Sequence, residues 1–341
     1  AEILSPWEVK VNDKVLTTKN ITLATGAVPF IPPISGVENC SYLTSENLWS
    51  LKELPKKLVI LGGGPIGLEM AQAFCRLGSE VTIIEMQERV LSQEDSEVAE
   101  FITDRLKKEG VQIFTHHMAH KIVENKLTCQ YNNQEVTFDF DQILIAVGRK
   151  ARLGDLTQNI PLALRPNGTI KTNEFLQTNI PNIFACGDAT GPYQLTHMAA
   201  HQAWFCAVNG LFGLFKKFKI SYDMVPRCIY TDPEIAIVGL NELEVQEQNI
   251  PYEITTYNLN DLDRAITDNE DHGFIKVLTI PQKDKILGAM IVGHQASTMI
   301  CEFITGMKYN IGLNKILSTI HVYPSMGEGN KYVAGLWKKS H

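Results

Sequence analysis

The hydrophobic period of the chain changes twice between residues 58 and 85. An unbroken apolar run, Leu58-Val59-Ile60-Leu61, meets the turn Gly62-Gly63-Gly64-Pro65-Ile66-Gly67, and residues 68–77 continue with the one-sided apolar spacing of a helix. Val81-Thr82-Ile83-Ile84 reads as a second strand that closes on Glu85. Residues 93–108 read as an amphipathic helix, with Val98, Ile102 and Leu106 one turn apart and Gly110 placed to end it. Strands are predicted over 111–114, 126–131, 136–140 and 143–147, the last finishing at Gly148-Arg149.

The N-terminal part alternates as well. Residues 9–16 have the pattern of a β-hairpin with its turn at Asn12-Asp13, and because a lone hairpin is marginally stable, further chain is expected to precede it. A short strand over 21–24 runs into Ala24-Thr25-Gly26, residues 29–33 form a stiff proline-rich linker, and Pro55 marks a boundary. A second tract opens near Ala151. In it an apolar strand ends at Cys186-Gly187-Asp188, followed by a long helical segment over 199–215. From Val225 the texture is α+β, with a hairpin over 274–280 and 286–292 and helices over 297–309 and 313–319.

These elements predict two or three domains of an α/β protein, and 341 residues suffice for each to bury its own core. Hydrophobic residues make up 44% and charged residues 20%, and no apolar run is long enough to span a bilayer, so no membrane association is expected. The net charge of −7 argues against a nucleic-acid partner, and Lys216-Lys217-Phe218-Lys219 reads as a solvated helix end. Glu2 and residues 7–10 interrupt any secretory signal. Seven scattered cysteines without C-x-x-C spacing read as reduced thiols of a cytoplasmic protein. His116, His117 and His120 lack a companion cysteine or acid at ligand spacing, and no metal site is expected.

The strand–turn–helix unit carries the clearest chemistry. Gly62 permits the tight turn, Gly64 lets a pyrophosphate approach the backbone, Gly67 lets the helix pack on the strand, and the first helical N–H groups face the phosphates. Glu85, about twenty residues on, stands where an acid binds the ribose hydroxyls. No base follows it directly, Arg89 being the nearest, so NADH is expected to bind better than NADPH. Asp188, directly after Gly187, is placed to accept from a sugar-like hydroxyl, with a plain helix cap as its alternative role.

Taken together, Ala24-Thr25-Gly26, the Gly62–Gly67 fingerprint, Ala146-Val147-Gly148-Arg149, Phe184-Ala185-Cys186-Gly187-Asp188 and Tyr323-Pro324 with Glu328 resemble the flavin-dependent pyridine nucleotide–disulfide oxidoreductases, in the order that family has them. The mercuric-reductase-like and dihydrolipoamide-dehydrogenase-like branch is most similar, through Thr231-Asp232-Pro233-Glu234 and the tail. The resemblance implies two Rossmann-like domains and a C-terminal α+β dimerisation domain. Residues 1–54 and 151–224 would form a partial FAD domain, 55–150 the NAD(P) domain, and 225–341 the interface of a homodimer, to which apolar segments such as Met299 to Ile304 would lend faces that a lone domain leaves wet. It also implies FAD and NAD(H) as cofactors, with electrons passing from nicotinamide through flavin to a disulfide or metal-ion acceptor. Asp188 with Gly187 would hold the flavin ribitol and Ala24, Thr25 and Gly26 would line the flavin domain. Glu69 would lie near the nicotinamide, and Gly148 belongs to the cofactor-binding set.

Two departures qualify the resemblance. The family's own FAD-binding G-x-G-x-x-G and its Cys-x-x-x-x-Cys pair do not occur in these residues, so the chain is expected to be N-terminally truncated and inactive as it stands. The alternative function is then a noncatalytic nucleotide-binding and dimerisation fragment. The second departure is Tyr323, which stands where the disulfide reductases have a histidine, with Glu328 retained as its partner; a phenol titrating near 10 is a poor proton shuttle at neutral pH. His321 is a possible substitute, which strand alternation would aim to the same side as Tyr323.

Overall fold

The computed structural model describes residues 1–154 and 158–341 and divides into two compact units, residues 1–30 with 148–222 and residues 31–147 with 223–341. In the first unit, strands Glu2–Ser5, Glu8–Val11 and Lys14–Thr17 form an antiparallel meander, so the expected hairpin has a third strand beside it. Strand Ile21–Leu23 pairs in parallel with Ile183–Ala185, Leu23 lying opposite Ala185. Ala27–Pro29 pairs antiparallel with Arg149–Ala151. Ile3, Ile21, Leu23, Ile170 and Ile183 are buried together in this unit's core.

The second unit holds two sheets. One is parallel, in the order Tyr42–Leu43, Gln142–Ile145, Lys57–Leu61, Glu80–Ile84, Gln112–Phe114. Its central strands are apolar on both faces because helices Pro65–Leu77 and Ser96–Glu109 cover one face, while Leu127, Cys129 and Phe140 pack with Val59 and Ile143 on the other. Pro65 starts the first of these helices, where its missing N–H costs nothing, and Gly78 (φ 109°) ends it. The other sheet is antiparallel, in the order Arg227–Ile229, Glu234–Gly239, Ile286–Gly293, Phe274–Thr279, Glu253–Asn258. Helices Ala296–Lys308, Leu313–Ser318 and Glu328–Ser340 accompany it. The last of these was not anticipated from the sequence.

Candidate functional site

Strand Lys57–Leu61 delivers Gly62 at φ 106°, a backbone region that side chains rarely adopt. A Cβ at Gly62 would stand 2.5 Å from the Ala146 carbonyl oxygen, and one at Gly67 would stand 2.0 Å from the Gly62 carbonyl oxygen. Both glycines are therefore fixed by close backbone approach. Gly64 differs: its φ of −81° is ordinary, and a Cβ there would meet no protein atom within 4 Å. The space over Gly64, at the start of helix Pro65–Leu77, is what a pyrophosphate needs.

Glu85 closes this cradle. Its Oε2 accepts from the Gly63 amide at 2.6 Å and its Oε1 from the Gln87 amide at 2.7 Å. An ionised carboxylate has about four acceptor positions, so two remain for ribose hydroxyls. Arg89 is turned away, its Nη2 donating to the Glu94 carbonyl at 2.9 Å. One turn into the helix, Glu69 accepts from the Tyr230 amide at 2.8 Å; burial raises its pKa, partly offset by that bond. Burial, with the charges of Glu234 and Glu69, pushes the nearby Cys228 thiol up to about 12, which leaves it a neutral thiol.

In the other unit, the parallel pairing of Ile21–Leu23 with Ile183–Ala185 brings Ala24-Thr25-Gly26 and Cys186-Gly187-Asp188 off the same end of two neighbouring strands. The carboxyl ends of adjacent parallel strands are where such sheets receive ligands. Gly26 (φ 70°) accepts from the Arg152 amide through its carbonyl. The Thr25 hydroxyl is buried with no protein partner, an orphaned polar atom that suits a bound polar group. Asp188 lies 3.6 Å from Arg149 Nε, and the Gly187 amide donates to the buried Gln202 Oε1 at 2.5 Å. Gly148 (φ 128°) accepts from the Phe30 amide at 2.9 Å.

In the C-terminal part, the Tyr323 hydroxyl donates to Asp263 Oδ2 at 3.1 Å, and this bond together with the Asp263 charge raises the phenol's pKa. Glu328 is buried and accepts from the Ser325 amide at 3.2 Å. The expected strand alternation of His321 and Tyr323 does not occur, because residues 319–325 have no regular structure. His321 instead points to Glu302, with Nε2 3.0 Å from Oε1 and Nδ1 3.1 Å from the Thr319 carbonyl. Both ring nitrogens face acceptors, whereas Tyr323 is 66% exposed.

The sequence reading missed one cluster. Lys276, on an inner strand and 1% exposed, places its ammonium among the carboxylates of Asp95, Glu97 and Glu242, with Asp95 Oδ2 at 2.7 Å. Lys276 looked like one polar residue in an apolar strand, and its partners lie far away in sequence.

The sequence matches the pyridine nucleotide-disulphide oxidoreductase family over residues 2–203 and that family's dimerisation domain over residues 225–334. It is 36% identical to a dihydrolipoyl dehydrogenase of Mycoplasma pneumoniae, covering 100% of this chain and 74% of that protein. It is 33% identical to a mercuric reductase of Staphylococcus aureus, covering 98% of this chain and 62% of that one. Among solved structures, the HOCl-induced flavoprotein disulfide reductase RclA from Escherichia coli superposes with a TM-score of 0.88 at 28% identity, over 98% of this chain and 78% of that one. The chain belongs to the pyridine nucleotide-disulphide oxidoreductase family. Members of this family are oxidoreductases that use FAD and NAD(P)H.

Proposed function

We propose that this protein takes electrons from NADH and passes them through FAD to a disulfide or metal-ion acceptor. The observation that carries this reading is the Glu85 carboxylate held at the mouth of the Gly62–Gly67 cradle by the amides of Gly63 and Gln87. When bound, the nicotinamide and flavin supply the hydride chemistry. The chain's own residues position them: Glu85 accepts from the ribose hydroxyls, Gly64 leaves room for the pyrophosphate, and Glu69 lies toward the nicotinamide. Ala24, Thr25, Gly26, Gly148, Gly187 and Asp188 form the flavin side, with the unpartnered Thr25 hydroxyl available to it.

Calorimetric titration is expected to give tighter binding of NADH than of NADPH, because a 2′-phosphate would meet the Glu85 charge. Glu85→Arg should reverse that order. Equal or tighter NADPH binding by the unaltered protein would contradict the role given to Glu85.

The acceptor side is proposed to form in a homodimer. Residues 299–304 were expected to supply exposed apolar contacts, but Met299, Ile300 and Phe303 are buried in the core of their own unit. The exposed apolar groups near the site instead include Tyr309, Ile320 (93%), Val322 and Tyr323. Tyr323 and Glu328 are the proposed acceptor-side residues, with Tyr323 acting as a neutral hydrogen-bond donor and not as a proton shuttle. Sedimentation at micromolar concentration should give a dimer, and Ile320→Asp should shift it toward monomer. Tyr323→Phe should keep the dimer and lower turnover with the acceptor. A monomer mass for the unaltered chain would remove the basis of the pairing.

A further inference from the structure

Beyond His201, helix Thr196–Phe212 has no polar outer face; its exposed polar residues, Thr196, His197 and His201, lie in the first two turns. Gln202, Cys206 and Asn209 are buried, yet its exposed side carries Ala203, Trp204, Ala207 and Leu211. Surface helices ordinarily set charged or polar residues on that side. The apolar character then increases past the helix end: Phe212 is 55% exposed, Leu214 99% and Phe215 90%. An exposed apolar patch of this kind marks an interaction site.

The patch is held in shape. Asn209 clamps the returning chain, its Nδ2 donating to the carbonyls of Phe218 (2.9 Å) and Phe175 (3.0 Å) while its Oδ1 accepts from the Phe218 amide at 2.8 Å. The Phe215 amide donates to the Phe212 carbonyl at 2.9 Å, which fixes the turn that carries Leu214 and Phe215 outward. Trp204 packs edge-on against Phe218 at 5.5 Å.

Charge indicates what covers it. Residues 189–222 contain no Asp or Glu, in a chain whose net charge is −7. Lys216, Lys217 and Lys219 follow directly on the apolar turn. Lys216 lies over the Phe218 ring at 5.0 Å, and Lys217 over the Phe175 ring at 5.4 Å with Nζ 3.5 Å from Gln177 Oε1. Lys219 pairs with Glu174 at 2.8 Å. Exposed lysine ammonium groups lying over aromatic faces, beside exposed leucine and phenylalanine, suit a lipid headgroup layer, where the aromatic and leucine side chains enter the acyl boundary beneath. A second copy of the chain is a poorer occupant: a two-fold contact would bring like lysines together, and the family's dimerisation domain is elsewhere, over residues 225–334.

We propose that the turn Phe212–Lys217 and the outer face of the preceding helix bind the surface of an anionic lipid bilayer. The association is peripheral, since no described helix is long and apolar enough to cross a membrane. It differs from the sequence-based expectation of a solvated helix end because the helix stops at Phe212 and the lysines lie on the returning chain. The proposal does not depend on the electron acceptor or on bound cofactors.

The test is cosedimentation of the full 341-residue chain with vesicles of phosphatidylcholine alone and of phosphatidylcholine mixed with phosphatidylglycerol, at low and high salt. Binding to the mixed vesicles is expected, weaker by roughly tenfold or more on the neutral ones and in high salt, since each lysine near an anionic surface adds favourable energy. Leu214→Ser with Phe215→Ser should abolish binding to both. Lys216→Glu with Lys217→Glu should remove the preference for anionic lipid, and NADH binding should be unchanged in both variants. No sedimentation with anionic vesicles, or sedimentation that neither pair of substitutions alters, would overturn the proposal. Vesicle-independent self-association that Leu214→Ser with Phe215→Ser removes would assign the face to a second copy and overturn it too.

Discussion

Gly64→Ala should leave the fold intact and weaken NADH binding at least about a hundredfold, whereas Gly67→Ala should damage both. A Cβ at Gly64 meets no protein atom within 4 Å and the backbone there is ordinary, so nothing in the folded chain opposes the methyl group. The methyl fills the space through which a pyrophosphate reaches the first helical amides, and a hundredfold loss corresponds to about 2.7 kcal/mol of those contacts. At Gly67 the same methyl stands 2.0 Å from the Gly62 carbonyl oxygen, a backbone atom that cannot rotate away. The helix must move off the strand, so thermal stability falls along with binding. Melting curves and calorimetry on the two variants separate these effects. Intact NADH affinity in Gly64→Ala would show that the dinucleotide does not pass over this turn.

The features legible in the sequence are those whose partners are close along the chain. The cradle and its acid lie within a single strand–turn–helix–strand unit, and Glu85 meets the amide of Gly63 only 22 residues away. The helices at Ser96–Glu109 and Ala296–Lys308 were readable from their apolar spacing, but spacing says which face is apolar and not what covers it. That is why residues 299–304 were taken for an exposed surface. Their cover includes the helix Glu328–Ser340, whose opening Gly327-Glu328-Gly329-Asn330 reads as a turn. Gly329 packs closely there, a Cβ standing 2.6 Å from the end of the Ile275 side chain, and Asn330 Nδ2 donates to the Met299 carbonyl at 2.9 Å. The exposure of Leu214 and Phe215 was hidden for a related reason: the pattern extended the helix to 215, whereas it ends at Phe212.

Lys276→Met should destabilise the second unit by about 3–5 kcal/mol, the usual cost of breaking a buried ion pair by removing one partner. The strand Phe274–Thr279 carries Lys276 with its side chain almost wholly out of water. Its hydrogen bonds to Asp95, Glu242 and Glu97 overcome the burial cost and raise its pKa, so it stays charged. Asp95 is the N-cap residue of Ser96–Glu109, yet its side chain does not cap that helix. It spends Oδ2 on Lys276 and Oδ1 on the Glu242 amide at 2.9 Å, tying the helix start to the antiparallel sheet. Methionine fills the volume of the lysine stem but leaves the buried Asp95 carboxylate without a cation. Lys276→Met combined with Asp95→Asn should therefore recover part of the loss, because a neutral amide is cheaper to bury than an unpaired charge. Urea denaturation, followed by the signal of this unit, measures the three proteins. If the double variant is no more stable than Lys276→Met alone, the stranded carboxylate is not the source of the destabilisation.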